Sequence, residues 1–358
     1  MKKFLVIQQK MIGDVLASTL LCEHLKHHFP KVEVHFLIHS NALPVVQGNP
    51  FVDRIRLFEP EHRKNKIAFF RFLREIRKEK YSAVLDVYGK LETNLITFFS
   101  GAPIRISYEK WYTKFVYTHL FRYSSNPETT LGWAIENRLL LLQPLIPKLE
   151  HPNLEPKIHL TEVEIQTAKD FLKDNKVDVN QPILMVGMLG SGPSKSYPLD
   201  YLADTLNVIA EQYEGIILLN YIPSQKDEVT KLLSKCSETA KTIIREDVFC
   251  SSLRSFLSVL SLCSGYYGNE GGATNMSKAL GLPNFSIFAP WISKKGWLTY
   301  NTNPKNQGIH LSDFETSILN IPKKERKKDV LAVYQRLKPE LFKKQLITFL
   351  DNHVFANQ

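Results

Sequence analysis

Four consecutive apolar residues, Phe4-Leu5-Val6-Ile7, are followed after a short loop by Leu16, Leu20, Leu21 and Leu25 at helical spacing, then by Val32, Val34, Phe36 and Ile38 in alternation. A strand, a helix of about four turns and a second strand in that order form a βαβ unit, because parallel neighbours can be joined only through a crossover. The rhythm recurs at Ala83-Val84-Leu85-Asp86-Val87, which follows a basic helical stretch. It starts afresh in the second half, where Ile183 to Val186, Ile216 to Leu219 and Phe285 to Phe288 read as buried strands between helices. Pro144, Pro147, Pro152 and Pro156 separate the two series and predict an extended connection. At 358 residues the chain suits two domains of ordinary size. The expectation is an α/β protein of two βαβ-rich domains with parallel strands, joined by a linker and leaving a cleft that faces the carboxyl ends of both sheets. Ligands then belong in the strand-to-helix loops at the carboxyl ends of the strands.

Composition narrows the function. The start Met1-Lys2-Lys3 is followed by too few apolar residues for an export signal, and no apolar run approaches the roughly 20 residues that span a bilayer. A soluble, cytoplasmic protein is therefore expected. Cys22, Cys236, Cys250 and Cys263 lack metal-ligand or redox spacing and read as free thiols. The net charge of +10 calls for an acidic partner. Nucleic acid is disfavoured because no base-reading motif accompanies the charge. Residues 63–80 carry Arg63, Lys64, Lys66, Arg71, Arg74, Arg77, Lys78 and Lys80 among Ile67, Phe69, Phe70, Phe72, Leu73 and Ile76. Such a helix packs its apolar stripe on a sheet, or lies on an anionic membrane surface. Lys323, Lys324, Arg326, Lys327 and Lys328 form a second cluster, read as a solvated face before a final helix.

Three loops could carry chemistry. The first, Gln8 to Asp14, has one glycine, Gly13, and no GxGxxG pattern, so it is no dinucleotide fingerprint. It presents Asp14 at a helix start, either as a cap or as a general base. The second loop runs from Gly187 to Pro198. There Gly190 and Gly192 let a ligand approach the backbone, Ser191 and Ser194 offer hydroxyls, and Lys195 supplies a compact cation for a phosphate. It is no P-loop, because GxxxxGK[ST] is absent. The third loop, Gly268 to Asn275, places Gly271 and Gly272 at a helix start. Free N–H groups and the positive end of the helix dipole can hold a diphosphate there.

These loops, with Gln47-Gly48-Asn49-Pro50-Phe51-Val52-Asp53, Tyr81 to Asp86, Ser100-Gly101-Ala102-Pro103-Ile104-Arg105-Ile106 and Asn269 to Pro283, resemble glycosyltransferase family 9, the lipopolysaccharide heptosyltransferases. The resemblance runs from Phe4 to about Pro290 and implies a GT-B architecture, two Rossmann-like, doubly wound parallel-sheet domains facing across a cleft. An acceptor domain would span 1–160, a nucleotide-sugar domain 161–322, and a basic segment and helix, 323–358, would return to the first domain. It implies inverting transfer without a metal or other cofactor. The donor, ADP-heptose by the resemblance, is a substrate. Asp14 is then the base. Lys195 neutralises the leaving diphosphate, helped by Ser191, Ser194 and the N–H groups near Gly271 and Gly272.

Where the family carries an aspartate and, a few residues on, a histidine, this chain has Asn269-Glu270 and Asn275. Glu270 is expected to meet sugar or ribose hydroxyls, and Gln225 to lie near the ribose. Lys10, Gly13, Lys90 and Arg105 are candidates for a lipid A-core or similar acidic glycolipid acceptor at the inner face of the membrane. A nucleotide-sugar enzyme of the same architecture with another donor, a hydrolysing epimerase and a non-catalytic nucleotide-sugar-binding protein remain as alternatives.

Overall fold

The computed structural model describes residues 2–126, 128–150 and 154–356, and the chain divides into two compact units, Met1–His159 and Leu160–Gln358. Pro152 lies outside the described residues.

The first unit is built on six parallel strands: β1 Lys3–Ile7, β2 Glu33–His39, β3 Arg54–Phe58, β4 Ala83–Asp86, β5 Ile104–Tyr108 and β6 His119–Phe121, in the spatial order β3-β2-β1-β4-β5-β6. β1 is apolar from Phe4 onward because both its faces are covered, and Leu5, Val6 and Ile7 are fully buried. β2 reads as an alternating strand yet is buried on both faces too. Its His35 is tolerated there because Nδ1 lies 2.7 Å from the Tyr81 hydroxyl and Nε2 lies 2.6 Å from Glu33. The crossover helix Ile12–His28 buries every residue from Val15 to Leu25.

The second unit repeats the plan with β7 Ile183–Gly187, β8 Ile216–Asn220, β9 Ile244–Arg245, β10 Gly265–Asn269, β11 Asn284–Ile287 and β12 Asn306–Ile309, in the order β12-β11-β10-β7-β8-β9. All strand pairs are again parallel. Chain order therefore reverses between β1 and β4 in one sheet and between β7 and β10 in the other.

Three expectations are corrected. The basic stretch is two helices, Pro60–Lys64 and Lys66–Lys78, because the Asn65 side chain accepts hydrogen bonds from the N–H groups of Ile67 and Ala68 and starts a new helix. The second of these buries Phe72, Leu73 and Ile76 in the first core, which is the sheet-packing alternative. The proline-rich connection is not extended at its start: the N–H groups of Leu145 and Ile146 turn back to the Leu142 carbonyl at 2.9 and 2.7 Å, and Ile146 is buried. Gly268 and Asn269 close strand β10 instead of opening the third loop.

At the carboxyl terminus, the final helix, Lys343–His353, packs into the second unit's own core. Its Leu346, Phe349 and Leu350 join one cluster with Phe285, Tyr334 and Phe342. The Phe355 ring stacks on Tyr213 with centroids 4.4 Å apart, and the Tyr197 hydroxyl donates to the Leu337 carbonyl at 2.6 Å. Phe349→Ala, which empties a fully buried site 5.5 Å from the Phe285 ring, should cost about 3–5 kcal/mol. Urea unfolding followed by amide exchange should show the loss in residues 160–356; protection lost only in residues 2–150 would contradict this placement.

Candidate active site

In the first unit, Asp14 sits in the first turn of the Ile12–His28 helix. It is not the N-cap: that position is Met11, which makes no side-chain capping bond. The carboxylate is instead held by Arg138 of the helix Trp133–Leu140, with Nη2 donating to Oδ1 at 2.7 Å. Arg138 is itself fixed by donating to Ser18 Oγ at 3.0 Å and to the Ala134 carbonyl. The pair is open on one side only, for the arginine side chain is 6 % exposed and the aspartate 27 %. An aspartate so gripped by one oxygen has its direction set while its other oxygen can meet a hydroxyl.

The loop leading to it carries two costs. Met11 has φ 65°, a left-handed conformation that a long side chain adopts at roughly 1–2 kcal/mol. Gln9 is fully buried, yet neither its amide oxygen nor its nitrogen has a hydrogen-bond partner among the described residues. Such features persist where the surroundings impose them, and they concentrate at functional loops. Lys10 precedes Met11 and Gly13 follows it by two residues, both half-buried.

On the other side of the first strand-order reversal, the β4 loop is shaped by Asp86. Its buried carboxylate accepts the Gly89 N–H at 2.8 Å and the Tyr117 hydroxyl at 2.7 Å, and burial pushes its pKa up. Gly89 adopts φ 56°, and the Lys110 ammonium donates to its carbonyl. Burial, then the neighbouring charge of Lys90, holds Lys110 below the ordinary lysine range. The loop delivers Lys90, exposed, to the start of the helix Leu91–Ser100. Arg105 does not join this group. It lies three residues before the carboxyl end of β5, about 10 Å along the strand, and donates to the carbonyls of Val116 and Ala102 at 2.6 Å each. Its expected acceptor role gives way to a structural one.

In the second unit, the β7 and β10 loops flank the other reversal. Gly187 and Gly268 let the strands approach: a Cβ on Gly268 would lie 2.4 Å from the Gly187 carbonyl oxygen. Asn269 then ties the loops together, its amide nitrogen donating to the carbonyls of Gly187 and Met188 at 3.1 and 3.0 Å and its oxygen accepting the Tyr197 N–H at 2.7 Å. Buried at 3 % exposure with these groups engaged, Asn269 is a clamp and not the donor ligand expected of it. Gly190 also has a structural task, since a Cβ there would strike the Lys195 carbonyl. Its N–H donates to Ser196 Oγ at 3.0 Å.

Gly192, Gly271 and Gly272 differ, for a Cβ on any of them would meet nothing within 4 Å. Tight turning does not explain the Gly271-Gly272 pair. The helix they open, Gly272–Ala279, has no side-chain cap, so its first N–H groups stand uncapped before open space. Beside it lies Lys195, with its ammonium 3.9 Å from Glu270 Oε2. That is an ion pair too long for a hydrogen bond. Glu270 is buried, and its Oε2 is the atom that faces Lys195. Asn275 donates back to the Gly271 carbonyl at 3.0 Å. Ser191 is exposed and Ser194 half-buried in the same loop as Lys195. Gln225 stands after β8, where its side-chain oxygen accepts the Ile222 N–H at 2.9 Å.

The sequence model of glycosyltransferase family 9 (heptosyltransferase) matches residues 69–317. The chain belongs to glycosyltransferase family 9. It is similar to lipopolysaccharide heptosyltransferase 1 of Campylobacter coli, 21% identical over 84% of this chain and 88% of that one. Among solved structures it superposes on a family 9 glycosyl transferase from Veillonella parvula with a TM-score of 0.76 at 18% identity, covering 98% and 97% of the two chains. The Escherichia coli ADP-heptose lipopolysaccharide heptosyltransferase II gives 0.67 at 16%, covering 94% and 99%. The fold is thus GT-B and the protein is a glycosyltransferase.

For a family 9 member, two residues that the sequence reading passed over stand out. Arg138 fixes Asp14 from 124 positions away, and Trp291 donates its indole N–H to the Ser194 carbonyl at 2.7 Å, bracing the Lys195 loop. The clamp is open to test. Asn269→Ala should cost about 2 kcal/mol by leaving the buried Tyr197 N–H without its acceptor, measured as a urea-midpoint shift. Asn269→Asp should also destabilise, because a carboxylate cannot donate to two carbonyls. A stability unchanged in both would refute the clamp.

Proposed function

We propose that this glycosyltransferase moves heptose from ADP-heptose onto the core of lipopolysaccharide or a related envelope glycan, with inversion and without a metal ion. The observation that carries the reading is the Lys195 ammonium beside an uncapped, open helix start at Gly271 and Gly272. Such an arrangement suits a diphosphate. The choice of sugar and acceptor rests on the relatives, whose names specify heptose, ADP and lipopolysaccharide. In the proposed step, Asp14 takes the proton of the acceptor hydroxyl as that oxygen attacks the anomeric carbon. The bond from that carbon to the phosphate oxygen breaks on the opposite face, and its electron pair leaves with the diphosphate. Lys195 and the helix N–H groups stabilise the charge that builds there. Arg138 keeps Asp14 aimed.

Asp14→Asn should keep donor affinity within about twofold and lower kcat by roughly 10²–10⁴, measured as ADP release from ADP-heptose with an inner-core acceptor. EDTA should leave the wild-type rate unchanged, and an Asp14→Asn enzyme of near-normal kcat would sink the proposed base.

On the acceptor side we place the enzyme on an anionic membrane surface. No described helix is long and apolar enough to cross a membrane. The first unit nevertheless exposes Trp111 at 85%, Phe115 at 75% and Leu91 at 72%, and the Phe98 ring links Phe115 to the Leu91–Ser100 helix at 6.4 Å. Arg71 and Arg74 are exposed on the helix Lys66–Lys78, which packs beside that one. Exposed aromatics beside cations suit an anionic interface. Binding to vesicles with anionic lipid should exceed binding to neutral vesicles and fall several-fold in Trp111→Ser/Phe115→Ser; equal sedimentation with both lipids would contradict the placement.

A further inference from the structure

The basic cluster after residue 322 is not simply a solvated face. Its helix, Lys323–Lys328, is pinned by Arg326, whose Nη1 donates to the Pro290 carbonyl at 2.7 Å. The next residue is Trp291, in the loop after β11 at the same carboxyl edge of the sheet as Lys195 and Gly271. Three ammonium groups gather on that one indole: Lys327 at 4.8 Å from its centroid, and Lys323 and Lys195 at 5.6 Å each. Lys323 and Lys327 are exposed and one helical turn apart, so they share a face. Among the described residues neither has a carboxylate within ion-pairing distance; Glu270 is paired with Lys195.

This arrangement gains little as it stands. Each cation–π contact at an exposed site is worth about 0.5–1 kcal/mol, and like charges at i,i+4 lose a similar small amount, so packing alone gives little reason to bring three ammoniums to one ring. A multiply charged anion does. Lys195 alone is largely offset by Glu270, whereas Lys323 and Lys327 leave two net positive charges at the loop that Trp291 braces. We infer that Lys323 and Lys327 are diphosphate-binding residues of the donor site, acting with Lys195 around Trp291. The ligand class is a nucleoside diphosphate, either as the leaving half of the donor or as free product. The inference rests on the donor reading proposed above and extends it to a helix outside the family match, which ends at residue 317.

The test uses the full-length protein and three probes, inorganic pyrophosphate, ADP and adenosine, titrated by calorimetry. The variant is Lys323→Gln/Lys327→Gln. The control, Lys324→Gln/Lys328→Gln, removes the same charge at the same spacing from the same helix. The first pair should weaken pyrophosphate and ADP about tenfold and leave adenosine unchanged, while the control pair should stay within about twofold of wild type. Lys323→Arg/Lys327→Arg should restore most of the affinity. Equal losses in both pairs would reduce the effect to net charge, and no loss in either would place the diphosphate elsewhere; each overturns the inference while leaving the donor reading intact. A wild-type protein that binds neither pyrophosphate nor ADP would bring down both.

Discussion

The site depends on the reversal of strand order that occurs once in each sheet. Where the connections from two neighbouring parallel strands leave to opposite faces, their loops diverge and leave a crevice that neither loop fills. In the first sheet this happens between β1 and β4, in the second between β7 and β10. Asp14 and Lys10 follow β1, Lys90 follows β4, Lys195 follows β7, and Glu270 with the glycine pair follows β10. Side chains far apart in sequence are thereby delivered to the two crevices by the winding of the chain. The local hydrogen bonds then decide which of them are free for a ligand and which hold the loops in place.

That division was only partly legible in the sequence. β1 and β7 were plain because strands buried on both faces leave uninterrupted apolar runs. β10 was not, since Gly265-Tyr266-Tyr267-Gly268-Asn269 is poor in apolar aliphatics and carries two glycines. The reason is tertiary: Gly187 and Gly268 are small because Tyr266 and the facing backbone leave them no room. The same contact explains Asn269. A polar residue beside a glycine turn reads as a ligand, but at the close of two tightly paired strands it is the group that satisfies the carbonyls of Gly187 and Met188. Arg105 misled for the related reason that a cation in a motif says nothing of which end of its strand it occupies.

Asp14 shows the converse. Its position near a helix start suggested capping, and its geometry shows a carboxylate committed to Arg138. No periodicity could have revealed that partner, because the pairing is made by the packing of two helices and not by spacing along either. The glycine pair at 271–272 shows where local reading works: open space around both positions removes the turn-forming explanation and leaves close approach by a ligand. Charge follows the same logic. The +10 total said only that an acidic partner exists. The structure distributes it, with exposed arginines near the aromatic face of the first unit and lysines around Trp291 in the second.

In the proposed mechanism the β7 and β10 loops of the second sheet form a nucleoside diphosphate site with Lys195 as its cation. Calorimetric titration of the full-length protein with ADP, for wild type and for Lys195→Ala, tests it most directly. Saturable one-to-one binding is expected for wild type and a loss of about tenfold or more in the variant, with its folded stability unchanged. Equal affinity in the two proteins would contradict it.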